Sequence, residues 1–528
     1  MTGMRDSFLD KEGMDFLEIK PLLNRFSPSS HYGKRLLKEP RSFFPGQENA
    51  LAQHYQRLKK LEGTLVGVEK ESLKRCLSEL KNISHSVEKL ENKQLPSIVD
   101  FFEIKKFYFF LKRLLGILEG FSEIKEWYGL FLEPDVWTTL DPRNTNQFFF
   151  SIDSDYAVEL RREMDKYQAL EKAQLRKICD KLEEQYNLSL KNRMDFLLDR
   201  SDIRNHALRK SDHFTILSET AFSVHYKVIK SHEDADYSEQ IDHLTGEMES
   251  EEKRYRMELM ERLSSYTDYL RFQMKAVGEF DRDIAFTEYK AQYNACWPDI
   301  NRQDHVQIQE GVFQDVKDFC ERNGYHYDPV SIELNKGVTI IVGANMGGKT
   351  TALKTIGQLY GAFAMGLPIT AKAFSSPLFQ SLNCVFRTHE EEGLSGFAME
   401  VKRIKPVFEP GGHLNLIDEF GSATNPKEGD ALASAVVKHL TSKDSITVFV
   451  THFSGPLLYC EQRYQTGFLR KHDPDILNSQ NIYRYIDHRL EPIESDLVPQ
   501  AAIEISKALG LPSKVIEEAK LIARYPVC

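Results

Sequence analysis

The stretch that decides the fold runs from residue 338 to residue 353 and reads VTIIVGANMGGKTTAL. Its first five residues, from Val338 to Val342, are apolar or β-branched and predict a buried strand. Residues 343–350 then fit the pattern G-x-x-x-x-G-K-[ST], and apolar residues at helical spacing follow from Leu353 onward. A strand, a glycine-rich loop and a helix in this order predict a phosphate-binding loop.

This loop offers the groups that hold a nucleotide and its metal ion. Glycines let backbone N–H groups wrap the phosphates, and the following helix directs its positive N-terminus at them. We expect Lys349 to reach the β- and γ-phosphates of ATP and the Thr350 hydroxyl to bind Mg²⁺. The predicted phosphate-binding residues are Gly343, Ala344, Asn345, Met346, Gly347, Gly348, Lys349, Thr350 and Thr351.

The composition indicates several domains. The chain has 528 residues, which is too long for one core and suggests about three or four domains. The formal net charge is −10, so contact with a nucleic acid needs a local basic patch. The seven cysteines are scattered without a C-x-x-C pair, which favours a cytoplasmic protein over a zinc or disulfide framework. The sequence contains no apolar leader and no run that spans a bilayer, so we expect no membrane contact.

The N-terminal part predicts helices. Residues 1 to about 125 carry helical apolar spacing, clearest from Ile98 to Leu118, and Ser30 is a candidate helix N-cap. Residues 126–160 contain two prolines and a polar stretch and are interpreted as a connection. Residues 155–195 predict a charged helix.

Residues 200–230 are the best candidate for a basic surface in this half. Two short strands are predicted there, at 214–217 and 221–229. A nucleic-acid contact and an ordinary solvated charged face both explain the basic residues, so the choice stays open. These residues are Arg200, Arg204, Arg209, Lys210, Lys227 and Lys230.

A long helix follows the candidate basic surface. Apolar residues recur at near-heptad spacing from Ile241 to Ile284 without a proline. A continuous helix over that stretch is on the order of 65–70 Å long. It ends before Pro298, so we interpret it as a lever or coiled-coil arm that leads into the nucleotide-binding part.

From about residue 300 strands alternate with helices, which predicts a parallel, doubly wound sheet with ligand groups at the strand C-termini. The strand at 414–417 ends in Asp418 and Glu419, and the strand at 446–450 is followed by His452. We expect Asp418 to hold Mg²⁺ through water and Glu419 to polarise the attacking water. His452 is placed to sense the γ-phosphate.

The order and the sequences of these motifs resemble those of the MutS family of ATPases, relatives of the ABC-type nucleotide-binding domains. GANMGGKT is similar to the family's GPNMGGKS/T, with Ala344 in place of proline. IDEFGSATNPKEG, residues 417–429, resembles MDEIGRGTSTYDG, with Ser422 and Ala423 in place of an Arg-Gly pair. VTHF, residues 450–453, is similar to ATHY.

The resemblance implies further site residues. Residues 395–401 resemble the family's STFMVEM, which implies that Ser395 and Gly396 act on ATP bound by a partner subunit, in a homodimer or a heterodimer. Tyr327 resembles the aromatic residue that stacks on adenine. The predicted catalytic residues are then Glu419, His452 and Lys349, and the predicted metal ligands are Thr350 and Asp418.

The resemblance also divides the chain. It implies a mixed fold, with a helical core and lever containing a long coiled-coil-like helix, followed by an α/β P-loop ATPase domain of ABC type. The implied segments are a MutS-like helical core at 1–199, a short clamp-like insertion at 200–236, a lever helix at 237–299, the ATPase domain at 300–490 and a C-terminal helical segment at 491–528. Because the core-like pattern begins near Leu22, we expect no mismatch-reading or connector domain.

Two functions remain open, both using ATP and Mg²⁺ in the cytoplasm. The first is a dimeric ATPase that binds branched or otherwise structured DNA and moves a lever and clamp. The alternative is a protein-remodelling ATPase, such as the reactivating subunit of lysine 5,6-aminomutase, with a protein client. A transport-type ABC ATPase is weaker, because the levers are covalently attached and no membrane segment is present.

Overall fold

The computed structural model describes residues 8–67, 69–145, 147, 150–152, 154–191, 193–229, 237–343, 347–387, 396–469, 486–493, 503, 506–507 and 510–524. The chain divides into two compact units. The first comprises residues 1–79, 114–130 and 274–528, and the second comprises residues 80–113 and 131–273. The expected mixture of helix and sheet is confirmed, and the boundaries of the five implied segments remain predictions.

The described helices begin and end as follows. In chain order they are α1 (Lys11–Phe16), α2 (Ile19–Asn24), α3 (His31–Lys38), α4 (Glu48–Thr64), α5 (Lys70–Glu79), α6 (Ser84–Glu91), α7 (Ile98–Ile117), α8 (Ser122–Tyr128), α9 (Pro134–Leu140), α10 (Asp155–Tyr186), α11 (Asn205–Leu208), α12 (Ser238–Leu263), α13 (Thr267–Tyr293), α14 (Gln314–Asn323), α15 (Lys349–Ala364), α16 (Gly396–Ile404), α17 (Pro426–Leu440) and α18 (Ser513–Arg524). None of the helices in the described part of the chain has the length and apolar character needed to cross a membrane.

The described strands form four sheets. In chain order they are β1 (Asp195–Asp199), β2 (Phe214–Glu219), β3 (Ser223–Val228), β4 (Asp299–Ile300), β5 (His305–Gly311), β6 (Val330–Asn335), β7 (Gly337–Gly343), β8 (Ala373–Ser376), β9 (Ser381–Val385), β10 (His413–Asp418), β11 (Ile446–Val450), β12 (Gln462–Thr466), β13 (Phe468–Leu469), β14 (Ile486–Asp487) and β15 (Glu491–Pro492).

A six-stranded sheet organises the first unit. Its order is β15-β12-β7-β11-β10-β9, and every neighbouring pair is parallel except β12 with β15. Val450 lies opposite both Ile341 and Asp418 in the register. The C-terminal ends of β7, β10 and β11 therefore meet at one edge of the sheet, where the strand–helix alternation predicts ligand groups.

Helices cover both faces of this sheet. In β7, Ile341 packs in one apolar cluster with Ile356 of α15, whereas its neighbour Ile340 packs in another with Val437 of α17. Successive side chains of a strand point to opposite faces, so α15 and α17 lie on opposite sides. A second, four-stranded sheet in the order β4-β8-β5-β6 was not predicted from the sequence.

The second unit contains a three-stranded antiparallel sheet in the order β1-β3-β2. Strands β2 and β3 coincide with the two predicted strands, whereas β1 lies at the end of the stretch interpreted as helical. Helix α10 stops at Tyr186 because Asn187 adopts a left-handed conformation with φ +54°, which ends a helix. The interpretation of residues 155–195 as one helix is therefore wrong beyond Tyr186.

The stretch interpreted as a connection, residues 126–160, also contains α9. Pro134 occupies the first turn of this helix. A proline is tolerated there because the N–H that it lacks has no partner inside the helix. Pro134 therefore starts a helix in this protein instead of interrupting one.

The predicted long helix is interrupted once. A 3-10 turn at Ser264–Tyr266 separates α12 from α13. The Ser264 hydroxyl donates to the Met260 carbonyl at 2.6 Å, and the Ser265 hydroxyl donates to the Arg262 carbonyl at 2.9 Å. Hydroxyl groups that bond to backbone carbonyls of the preceding turn bend helices, which explains the break in an otherwise periodic stretch.

Three of the six cations of the candidate basic surface pair with carboxylates within the second unit. Arg209 lies 2.8 Å from Glu219, Arg200 lies 3.5 Å from the same carboxylate, and Arg204 lies 2.6 Å from Asp202. Lys230 lies outside the described residues. The cations of this surface can be identified from the sequence, whereas their carboxylate partners become apparent only in the fold.

One buried carboxylate fixes the N-terminal loop of the first unit to α13. Asp281 accepts hydrogen bonds from the Ser29 and Ser30 backbone N–H groups at 3.0 and 2.7 Å and from the Ser30 hydroxyl at 2.6 Å. The same hydroxyl oxygen accepts from the Gly33 N–H, so Ser30 caps α3 as predicted.

We predict that Asp281→Ala lowers the free energy of unfolding by about 2–4 kcal/mol, because buried N–H groups lose their acceptor. Urea unfolding followed by circular dichroism measures the change. Asp304→Ala is the control, since this carboxylate is 65% exposed and pairs only at the surface, with Lys336. Equal effects of the two substitutions would contradict the role given to Asp281.

Candidate nucleotide-binding site

The predicted phosphate-binding loop connects the end of β7 to the start of α15. Gly343 ends the strand and Lys349 begins the helix. Gly347 and Gly348 precede the helix directly, whereas Ala344, Asn345 and Met346 lie outside the described residues. The strand, loop and helix therefore follow one another as the sequence predicts.

The loop is held from the neighbouring strand. A side chain at Gly343 would place its Cβ 2.1 Å from the Thr466 carbonyl oxygen, so only glycine fits there. The Gly347 carbonyl lies 2.9 Å from the Thr466 hydroxyl and accepts a hydrogen bond from His488 Nδ1 at 3.1 Å. These contacts fix the loop from the side of β12.

The Lys349 side chain contacts both the end of β7 and Glu419. Its ammonium group donates to the Gly343 carbonyl at 3.0 Å and lies 3.5 Å from a carboxylate oxygen of Glu419. The side chain is only 5% exposed. A buried ammonium at the N-terminus of a helix adds positive charge where an anion is favoured already.

Thr350 and Asp418 face each other beside Lys349. The Thr350 hydroxyl donates to Asp418 Oδ2 at 2.9 Å, while Asp418 Oδ1 is buried and accepts no hydrogen bond from any described residue. Burial raises the pKa of Asp418 above its usual range, and the Thr350 hydrogen bond opposes this shift. A buried carboxylate oxygen without a donor is a candidate ligand for a cation.

Glu419 follows in an unusual backbone conformation. Its φ is +53°, in the left-handed region that non-glycine residues seldom adopt, and its N–H donates to the Val450 carbonyl at 3.0 Å. Such strain persists where surrounding contacts enforce it and is common at functional sites. The conformation places Glu419 among the residues that line a cavity.

This cavity has a volume of about 480 Å³, within the range typical of small-molecule sites. Tyr327 forms part of its wall, and its hydroxyl accepts a hydrogen bond from the Phe313 N–H at 2.8 Å. Burial raises the pKa of Tyr327 to about 12. The lining includes Tyr325, Tyr327, Asp328, Gly347, Gly348, Lys349, Thr350, Thr351, Thr355, Glu419 and His488.

The cavity also includes residues that sequence analysis did not identify. His488 contacts the loop through Gly347, and its backbone N–H donates to Asp328 Oδ2 at 3.1 Å. The other oxygen of Asp328 lies 2.9 Å from His326 Nε2. His488 is distant from the loop in sequence and belongs to no local motif, so only the fold could reveal its position.

Four predicted residues that the structure describes are absent from the lining of this cavity, although Asp418 contacts the lining residue Thr350: Gly343, Gly396, Asp418 and His452. His452 follows β11 as expected, but it is exposed, packs on Phe453 and is absent from the described lining. Ser395 lies outside the described residues, and Gly396 begins α16. The catalytic role of His452 stays a prediction.

Comparisons with known proteins find similarity in the part of the chain that carries this site. Residues 339–525 match the model of MutS domain V. The chain is 30% identical over 257 residues to an Endonuclease MutS2 of Clostridium botulinum strain Langeland, covering 46% of this chain and 30% of that protein. It is 29% identical over 279 residues to the Endonuclease MutS2 of Pediococcus pentosaceus, covering 51% of this chain and 34% of that protein.

The matched region thus spans about a third of the length of these relatives. It includes β7, the start of α15, β10 and β11, which carry the candidate site. Residues 339–525 are therefore similar to MutS domain V, and about half of the chain is similar to MutS2 endonucleases.

Proposed function

We propose that this protein is a MutS-like ATPase that binds Mg²⁺ and ATP at the described cavity and hydrolyses the nucleotide. One observation carries the proposal. Lys349, Thr350, Asp418 and Glu419 converge at the end of a glycine loop, and a buried oxygen of Asp418 has no hydrogen-bond donor among the described residues.

The groups around the cavity have separate tasks in this proposal. The ammonium of Lys349 exchanges its contacts with Gly343 and Glu419 for phosphate oxygens of ATP. This exchange frees the Glu419 carboxylate to orient and polarise a water molecule. Tyr327 and His488 line the same cavity and offer rings to the base.

The residues present fit a magnesium ion. Mg²⁺ prefers oxygen ligands and is held in nucleotide sites by one or two protein groups together with phosphates. Thr350 and Asp418 supply a hydroxyl and a carboxylate oxygen beside the phosphate loop. A bound Mg²⁺ neutralises the charge of the phosphate oxygens.

We propose further that the active form is a dimer acting on structured DNA in the cytoplasm. The relatives are named endonucleases, that is, enzymes that act on nucleic acid. The resemblance of Ser395 and Gly396 to the family's trans-acting motif supports a composite site between two subunits. No nuclease activity is proposed for this chain.

A protein client is the second candidate. The observation that favours it lies in the second unit, where three arginines of the candidate basic surface are paired with carboxylates. In the same region Ile203 and Phe222 are 90% and 83% exposed. Paired guanidinium groups and protruding apolar side chains suit a protein surface better than a phosphate backbone.

We predict that Lys349→Ala abolishes both ATP binding and turnover, whereas Glu419→Ala abolishes turnover and retains binding. Steady-state phosphate release and titration with a fluorescent ATP analogue separate the two effects. Lys275→Ala is the matched control, since this lysine is 65% exposed on α13. Wild-type turnover in Glu419→Ala would contradict its assignment to the chemical step.

We predict that Asp418→Asn raises the Mg²⁺ concentration needed for half-maximal activity and lowers turnover by about 100-fold, because a neutral amide is a poorer ligand for a hard cation. Turnover measured over a magnesium titration tests this prediction. Asp444→Asn is the control, since that side chain is 89% exposed. An unchanged magnesium curve in Asp418→Asn would remove this carboxylate from the metal site.

We predict that branched DNA stimulates ATP turnover more than linear duplex does, and that moderate salt reduces the stimulation by weakening phosphate contacts. The assay compares wild type with Lys349→Ala, on each DNA, at two salt concentrations. Active protein with equal turnover on all DNA forms and without DNA would favour the protein client.

A further inference from the structure

The N-terminal residues of the first unit fit closely against the candidate nucleotide-binding site. The Leu382 N–H of β9 donates to the Phe8 carbonyl at 2.9 Å, and the Gln358 amide of α15 donates to the Leu17 carbonyl at 2.9 Å. A Cβ on Gly357 would lie 2.6 Å from a methyl group of Leu17, so this segment packs closely against α15 at a glycine. Helix α1 is therefore packed between parts of the nucleotide-binding fold.

Four side chains in this region form a continuous stack. The ammonium of Lys354 lies 5.2 Å from the ring centre of Phe16, which stacks on Phe386 at 4.1 Å with 7° between the planes. The guanidinium of Arg403 lies 4.4 Å from the ring centre of Phe386. We call this set the four-layer stack; its order is Lys354, Phe16, Phe386, Arg403.

The same N-terminal segment holds both charged ends of the four-layer stack. Glu18 pairs with Lys354 at 2.8 Å, and Glu12 pairs with Arg403. The Arg403 side chain is only 10% exposed, and burial lowers the pKa of its guanidinium. A desolvated guanidinium gains more from an aromatic face than an exposed one does.

The stack joins two elements that matter to the proposed chemistry. Lys354 belongs to α15, whose first residues are the phosphate-binding Lys349 and Thr350. Arg403 belongs to α16. Phe16 is the α1 side chain that completes the connection between these helices.

Helix α16 in turn holds the loop that carries Glu419. The Gly421 N–H donates to Glu400 Oε2 of α16 at 2.9 Å, and Glu400 is only 3% exposed. Burial raises the pKa of Glu400. Because Gly421 lies two residues after Glu419, a shift of α16 moves the anchor of the proposed water-polarising residue.

We propose that Phe16 is a positioning residue of the ATPase. Through the four-layer stack it holds α16 against α15, and α16 holds the Glu419 loop in register with the phosphate-binding loop. The inference rests on the proposed ATPase function and extends it to a residue far from the motifs. Phe16 is absent from the described cavity lining, so it acts through its neighbours.

The test separates the aromatic ring from mere packing. We expect Phe16→Leu to lower kcat by about fivefold, the size of a lost aromatic stack, while the dissociation constant for a fluorescent ATP analogue changes less than about twofold. Phe16→Tyr keeps the ring and is expected to retain kcat. Phe272→Ala is the control, since Phe272 is 48% exposed and lies outside the stack.

A second substitution tests the other ring of the four-layer stack, and an unfolding measurement checks that the variants are folded. Phe386→Leu is expected to reproduce the loss of kcat, and the double variant with Phe16→Leu is expected to be no slower than either single variant, because both remove one stack. Thermal unfolding followed by circular dichroism checks that each variant is folded.

The outcomes distinguish the inference from the proposed function. Wild-type kcat in folded Phe16→Leu and Phe386→Leu overturns the positioning role alone. The positioning role is also overturned if the loss of kcat in the double variant is the product of the two single losses. A loss of kcat in Phe16→Tyr equal to that in Phe16→Leu overturns it as well. Absence of ATP turnover in the wild-type protein overturns the proposed function and with it this inference.

Discussion

The burial of α15 is the constraint on which the first unit depends. From Ala352 onward, nearly all of its residues are buried, so every face of the helix needs a packing partner. Leu416 of the central sheet packs at Gly357 on one side, and Leu17 of the N-terminal segment packs at the same glycine from another. A helix enclosed in this way keeps its N-terminus, and the loop before it, in a fixed orientation toward a bound anion.

Side chains of α4 form hydrogen bonds with backbone carbonyls at the C-terminal end of α15. The Tyr55 hydroxyl lies 3.3 Å from the carbonyl of Phe363 in the last turn of the helix, and His54 Nε2 lies 2.9 Å from the carbonyl of Gly366, which follows the helix. Burial lowers the pKa of His54 to about 4, which keeps the imidazole neutral near pH 7. Arg57 of the same helix reaches the buried Asp283 of α13 at 3.2 Å. Within the first unit, α15 is thus connected through α4 to α13.

Sequence alone predicts the parts of this protein that local chemistry determines. The strand, glycine loop and helix around Lys349, and the strand that ends at Asp418, follow from short-range patterns and are found at the expected positions. Ser264 and Ser265, which lie at the break in the long helix, are visible in the sequence, but the periodic apolar spacing predicts a continuous helix across them. The sequence leaves the role of the arginine surface open, because ion pairing depends on which carboxylates the fold brings near, such as Glu219.

The rest could not be predicted because it depends on contacts between distant residues. His488 reaches Gly347 only after β12, β14 and β15 are in place, and Phe16 reaches Phe386 only after α1 packs beside β9. Neither residue belongs to a motif. The resemblance to the MutS family identifies the motif residues, and the packing of this chain identifies the other side chains that contact the elements carrying them.

The most direct test of the account is a structure of the protein with Mg²⁺ and a non-hydrolysable ATP analogue. The account predicts phosphate oxygens on Lys349 and the backbone of Gly347 and Gly348, a metal ion between Thr350 and Asp418, and the base beside Tyr327 and His488. A nucleotide bound elsewhere, or a cavity that stays empty at saturating analogue, would contradict the central claim that these residues form an ATP site.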